Sequence, residues 1–225
     1  AARTLPDALK AVRYIDEMEG RVRLDRGFER QRGSMKAVFD TFLQEISSAK
    51  NRKSLDAAYQ KASAALSAVA LDKPENPLRV GIVGEYYTVM DDYGNHNVEQ
   101  ILGYMGRGVE IHRWMTFTHR NLEYDEQADL QTIAPYVRYS MGPTTSATLA
   151  GAIRYADAGF DGIVHVKSFG CTPEVDAMAV LQNISADRGI PILYLSYDSQ
   201  TGDAGIQTRL EAFYDMIDMK RRKQP

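Results

Sequence analysis

From residue 78 onward, short apolar runs rich in β-branched residues alternate with amphipathic stretches, and this alternation constrains the fold more than any other feature. Residues 78–83, 109–114, 160–166 and 191–196 read as strands. Between and after them lie helical patterns. Residues 97–105 put Val98, Ile101, Leu102 and Met105 on one face. Residues 122–139 are acidic first and then apolar, and residues 144–158 are rich in small side chains. Residues 173–188 form another helix, and 204–220 end the series with Ile206, Leu210, Phe213, Met216 and Ile217 on one side. The basic tail Lys220 to Lys223 complements a helix C-terminus. Strands separated by helices need crossover connections, so the sheet should be parallel and covered on both faces. No internal repeat or low-complexity tract interrupts the pattern.

The expected fold class is therefore α/β: a flavodoxin- or Rossmann-like three-layer domain over residues 78–222, with a four-stranded parallel sheet. Residues 1–73 carry a different, wholly helical pattern. Leu5, Leu9, Val12 and Ile15 recur at spacings of three and four, and Pro6 suits a first turn. Met35, Val38, Phe39, Phe42 and Ile46 repeat the stripe. Residues 54–71 continue it with many alanines, which allow close helix packing. Between the first two stripes, Arg21, Arg23, Asp25, Arg26, Glu29, Arg30 and Arg32 crowd together. They read either as a solvated linker with local ion pairs or as a basic surface for an anionic ligand or partner. Pro74 and Pro77 mark residues 72–77 as a linker between the helical segment and the α/β domain.

Composition excludes several classes. With a formal net charge of −3 over 225 residues, the chain lacks the basic balance that phosphodiester backbones require, so nucleic acid is not an expected partner. No apolar run is long enough to cross a bilayer and no signal-peptide pattern is present, so no membrane association and a cytoplasmic location are expected. The single cysteine rules out an internal disulfide and cannot alone ligate zinc or an iron–sulfur cluster. The start at Ala1, without an initiator methionine, suggests a tag remnant or a piece of a longer protein.

In a parallel sheet the carboxyl ends of the strands share one edge, where ligands bind. That edge would gather Glu85, residues 115–119, Gly170-Cys171 and the loop from Tyr197 to Gly202. Cys171 falls where a strand turns into a helix, with Thr172 as N-cap, Pro173 at the first helical position and Glu174 in the first turn. Free N–H groups and the helix dipole would stabilise a thiolate there. Glu85 and Glu174 are candidate catalytic carboxylates, and Glu85 reads equally well as a plain loop residue. Asp198, Gly202 and Arg209 belong to a polar loop and its helix. They could cradle a phosphate or carboxylate, or form a capped helix start. Gly81 to Gly84 lacks the third glycine of a dinucleotide fingerprint. Residues 91–97 miss the EF-hand spacing and read as a turn capped by Asn95 or Asn97. His112, His119 and His165 have no zinc-ligand spacing, and a Cys171–histidine dyad lacks an identifiable third residue.

Around Phe169-Gly170-Cys171-Thr172-Pro173-Glu174 the chain resembles the 2-hydroxyacyl-CoA dehydratase component family, in particular its activase-related branch. Val83-Gly84-Glu85-Tyr86 supports the resemblance, as do residues 159–166, 190–202 and 208–213, in order over roughly residues 78–218. It implies stacked flavodoxin-like domains that hold a [4Fe–4S]-type cluster through cysteines from different domains. Cys171, with Gly170 beside it, takes one ligand position. It further implies a 2-hydroxyacyl-CoA substrate and an ATP-dependent activator protein that delivers a low-potential electron. Upstream domains of the same protein, or a second copy of the chain, would be further partners. The parent would then be a lyase or a low-potential reductase, and these residues alone should be inactive. The remaining cluster cysteines are absent here, so either they lie upstream or no cluster is bound. The competing expectation is a non-catalytic CoA- or phosphate-binding or interaction module.

Overall fold

The computed structural model describes residues 5–223. Residues 1–4, on which the reading of the chain start rests, lie outside the described residues, as do 224 and 225. Three helices come first: α1 (Leu5–Asp25), α2 (Ser34–Ser48) and α3 (Arg52–Ser67). The α/β pattern then runs β1 (Leu78–Gly84), α4 (Tyr86–Met90), α5 (Val98–Gly103), β2 (Val109–Arg113), α6 (Glu126–Ile133), α7 (Pro143–Asp157), β3 (Gly162–Ser168), α8 (Thr172–Arg188), β4 (Ile192–Tyr197) and α9 (Asp203–Arg222). The four strands pair in parallel, in the order β2-β1-β3-β4. This is the three-layer α/β class expected from the alternation.

Strand pleating explains the layers. Val80 and Ile82 of β1 and Val164 and Val166 of β3 point to the face covered by α5 and α9. The alternate residues Val83 and Ile163 point to the face covered by α7 and α8. Each buried aliphatic side chain of this kind contributes about 1.5–3 kcal/mol relative to exposure. Gly81 leaves room on that second face for the ring of Tyr155, which a Cβ would meet at 2.2 Å. Met18, Val22, Met35, Phe42, Leu55 and Leu66 form a separate core among α1, α2 and α3.

The charge-dense stretch is not a solvated linker throughout. Arg23 is buried, and donates to Glu99 of α5 at 2.9 Å and to Glu19 at 3.0 Å. Arg113 of β2 donates to the other oxygen of Glu99 at 3.2 Å and also pairs with Glu19. Two guanidiniums and two carboxylates therefore fasten α1 to the outer edge of the sheet. The Glu99 carboxyl feels burial, but the two arginines prevail and hold its pKa below the usual range.

The expected helix over 122–139 is shorter. A π-helical turn, His119–Glu123, precedes α6, whose start is fixed by the Asp125 carboxylate accepting from Ala128 N at 3.1 Å. The helix stops at Ile133, and Pro135, two residues on, has no N–H with which to continue the ladder. Asn97 stands at the N-cap position of α5, but Asn95 supplies the side-chain cap: its carbonyl oxygen accepts from Val98 N at 3.2 Å, and its amide donates to Thr88 O at 2.9 Å. No described helix is long and apolar enough to cross a membrane.

Candidate functional site

Chain order reverses around β1: β2 lies on one side of it and β3 on the other. The carboxyl ends of β1 and β3 therefore flank the switch point at which open α/β sheets bind ligands. Gly84 draws these ends together. Its φ is +140°, and a Cβ there would lie 1.9 Å from Val166 O. The next amide, Glu85 N, donates to that same carbonyl at 3.0 Å. Only glycine suits this backbone and this approach.

Glu85 follows as the N-cap of α4. Its carboxylate accepts from Tyr87 N and Thr88 N, both at 3.2 Å, and from the Thr88 hydroxyl. As a catalytic candidate it is thus largely engaged in capping.

Across the switch point, β3 ends in an exposed turn, Ser168-Phe169-Gly170. Cys171, rather than Thr172, occupies the N-cap position of α8, half-buried and free. Its amide donates to Ser168 O at 3.1 Å, and its carbonyl accepts from Val175 N at 3.0 Å. The helix terminus was expected to stabilise a thiolate, yet the thiol's pKa is raised. Burial is the main cause, and the carboxylates of Glu174 and Glu85 add to it. The Glu174 N–H and Lys167 act the other way without prevailing.

Glu174 is wholly buried. Its carboxylate bonds His165 Nε2 at 2.8 Å and accepts from the Thr148 hydroxyl at 3.1 Å. That network ties α8 to β3 and α7, so Glu174 acts from beneath Cys171 and is not presented to solvent. Asp198 turns back on its own loop, accepting from Gln200 N at 2.9 Å and from the Thr201 hydroxyl at 3.0 Å. Gly202 is the N-cap residue of α9. The β4 end lies beside the cysteine loop, since Phe169 N donates to Tyr197 O at 2.8 Å. Arg209 does not join this group. Its guanidinium donates to Tyr194 O and covers the edge strand.

Two features had escaped the reading of the chain. Lys167, buried in β3, has carbonyl partners, Ser168 O at 3.3 Å and Phe169 O at 3.1 Å, and among the described residues no carboxylate lies within ion-pair distance of it. A lysine inside an apolar strand was the available signal. His96, with φ +57°, stacks on Tyr197 at 5.5 Å and pairs through Nδ1 with Asp203 of α9. That pair spans 107 residues of sequence and left no local trace.

Around this edge stand exposed apolar side chains: Tyr87 at 80%, Tyr139 at 81%, Phe169 at 69%, and also Tyr93, Phe117 and Val175. Among the described residues no group of three or more His, Cys, Asp or Glu side chains is placed to hold a metal ion.

An all-parallel four-stranded sheet with Cys171 just beyond its third strand defines the class as open α/β. A family model, 2-hydroxyglutaryl-CoA dehydratase, D-component, matches residues 48–217. The chain belongs to that family. Comparison with curated proteins gives no match.

Proposed function

We propose that this chain is a 2-hydroxyacyl-CoA dehydratase component whose Cys171 supplies one ligand to an iron–sulfur cluster completed by other protein segments. The observation that carries the reading is the position of Cys171, the chain's one cysteine, half-exposed at the switch point, on an edge whose loops also expose aromatic side chains. Side chains of that kind stand in water at a cost unless a partner covers them. The residues present fit one corner of a cluster and no more, because metal-capable groups do not gather here. When bound, such a cluster supplies a single electron at low potential, and thiolate ligation and burial set that potential.

The chain's own groups have definable parts in this reading. Ligation would require Cys171 to give up its proton, and the raised thiol pKa would make that step costlier and iron binding dependent on pH. Glu174, held by His165 and Thr148, fixes the first turn of α8 and thereby the sulfur. Lys167 places a buried positive charge near it. The aromatic ring excludes water once covered. The substrate would be a 2-hydroxyacyl-CoA, and an ATP-dependent activator would deliver the electron.

The test is to co-produce the chain with its partner component, purify without oxygen and measure iron and visible absorbance. Cys171→Ser should lower both, with folding unchanged by circular dichroism. Unchanged iron content would sink the idea.

A further inference from the structure

At the opposite, amino-terminal edge of the sheet lies a second concave site. Gly27 to Arg32, which leads from α1 to α2, meets the turn Gly106–Gly108 before β2 and Asp72 before β1, around a cleft of about 450 Å³. Glycines permit the contact between the two loops. A Cβ on Gly108 would meet Gly27 O at 2.6 Å, and one on Gly27 would meet Gly103 O at 2.1 Å.

Three guanidiniums line this cleft: Arg30, Arg32 and Arg107. All three are exposed, and among the described residues none makes an ion pair. Arg32 is held through its guanidinium, and Arg30 and Arg107 through their backbones. Arg32 lies 4.8 Å over the Tyr104 ring and donates to Tyr104 O at 3.3 Å. The Tyr104 hydroxyl bonds Glu29, whose buried carboxylate also accepts from Met35 N at 2.8 Å. The Arg30 amide donates to Ala70 O at 3.0 Å, and the Arg107 amide bonds the Tyr214 hydroxyl of α9. Asp72 is the exposed carboxylate of the lining, and Glu29 is committed to the floor.

Guanidiniums are planar forks that match phosphate oxygens two at a time, and that of Arg32, already held by Tyr104, loses less freedom on binding. A volume of 450 Å³ suits a diphosphate or a phosphate together with part of its carrier. We infer that the Arg30–Arg32–Arg107 cleft binds the phosphate end of a small phosphorylated ligand. Binding there bridges the helical segment and the α/β domain, far from the Cys171 edge, so it does not depend on the cluster reading.

Isothermal titration of pyrophosphate and of ADP into the whole chain at low salt tests this. Saturable 1:1 binding is expected, weakened about tenfold by Arg30→Ala and by Arg107→Ala and relieved by added salt. Asp72→Asn should tighten it. Both arginine side chains lack side-chain partners, so melting temperatures without ligand should stay put. Equal affinity for the two probes assigns the cleft to phosphate oxygens alone, and tighter ADP binding assigns it to a phosphate on a carrier. Absence of saturable binding overturns the inference. So does binding that survives both substitutions, and so does preference for a glutamate-rich peptide over pyrophosphate.

Discussion

Two regions of the α/β unit treat their awkward groups in opposite ways. Where α1 meets β2 and α5, the charges of Arg23, Arg113, Glu19 and Glu99 are sunk into the protein and paired with one another. At the carboxyl edge, aromatic side chains stand in solvent, and the buried Lys167 donates to backbone carbonyls and lies over the Phe169 ring. The seam's charges pair within this chain, although the buried Arg113 Nε finds no partner among the described residues. Under the proposed function, the edge is the surface that a partner covers. Buried, paired charge then belongs to an internal joint, and exposed apolar surface to an external one.

The sharpest way to break this contrast is to leave a charge stranded in the seam. Glu99→Gln removes the carboxylate shared by two buried arginines and should cost about 3–5 kcal/mol in urea unfolding. A loss below 1 kcal/mol would show that water reaches the seam. Next comes Gly84→Ala, which forces a side chain onto Val166 O in a left-handed backbone and should cost about 2–4 kcal/mol, read by the same measurement.

A smaller effect is expected from acid. Glu110 of β2 bonds His112 and Lys73, each at 2.6 Å, and Lys73 also reaches Asp25 at the end of α1. The hydrogen bond from His112, with help from Lys73, holds the Glu110 pKa down at about 2. Because the folded value lies below the unfolded one, the ionised carboxylate contributes stability in full above the usual value of 4.5, and that contribution fades as pH falls toward 2. Glu110→Gln should remove about 1–2 kcal/mol of that acid-sensitive stability, and a pH series of denaturation curves would detect it. Smallest of all for the isolated chain is Tyr87→Ser with Phe169→Ser, which should change stability by less than about 0.5 kcal/mol yet weaken association with the partner component. A large loss of stability would mean the edge is already part of the fold.

Much of this architecture could be read directly from residue order. The spacing of β-branched runs marks the strands, and the intervening 3.6-residue stripes require crossovers. Cys171 was correctly placed at the end of β3 for the same reason. What stayed hidden depended on distant partners. Arg23 looks like one more surface arginine until Glu99, 76 residues later, lies beside it. Glu174 looks like an ordinary first-turn acid until His165 and Thr148 close around it. The direction of the Cys171 acidity was missed because local helix geometry favours the thiolate, whereas neighbouring carboxylates and desolvation, which belong to the fold, oppose it.

The seam also bears on the order in which the protein can assemble. On the ribosome α1 emerges long before Glu99 and Arg113, the groups that neutralise its inward-facing charges. Docking α1 earlier would strand Arg23 without its main acceptor, a strongly unfavourable step. The apolar face of α1 shares a core with α2 and α3, so these three helices can gather without the sheet. The charged face of α1 must wait for α5 and β2, so the seam is among the last contacts to close.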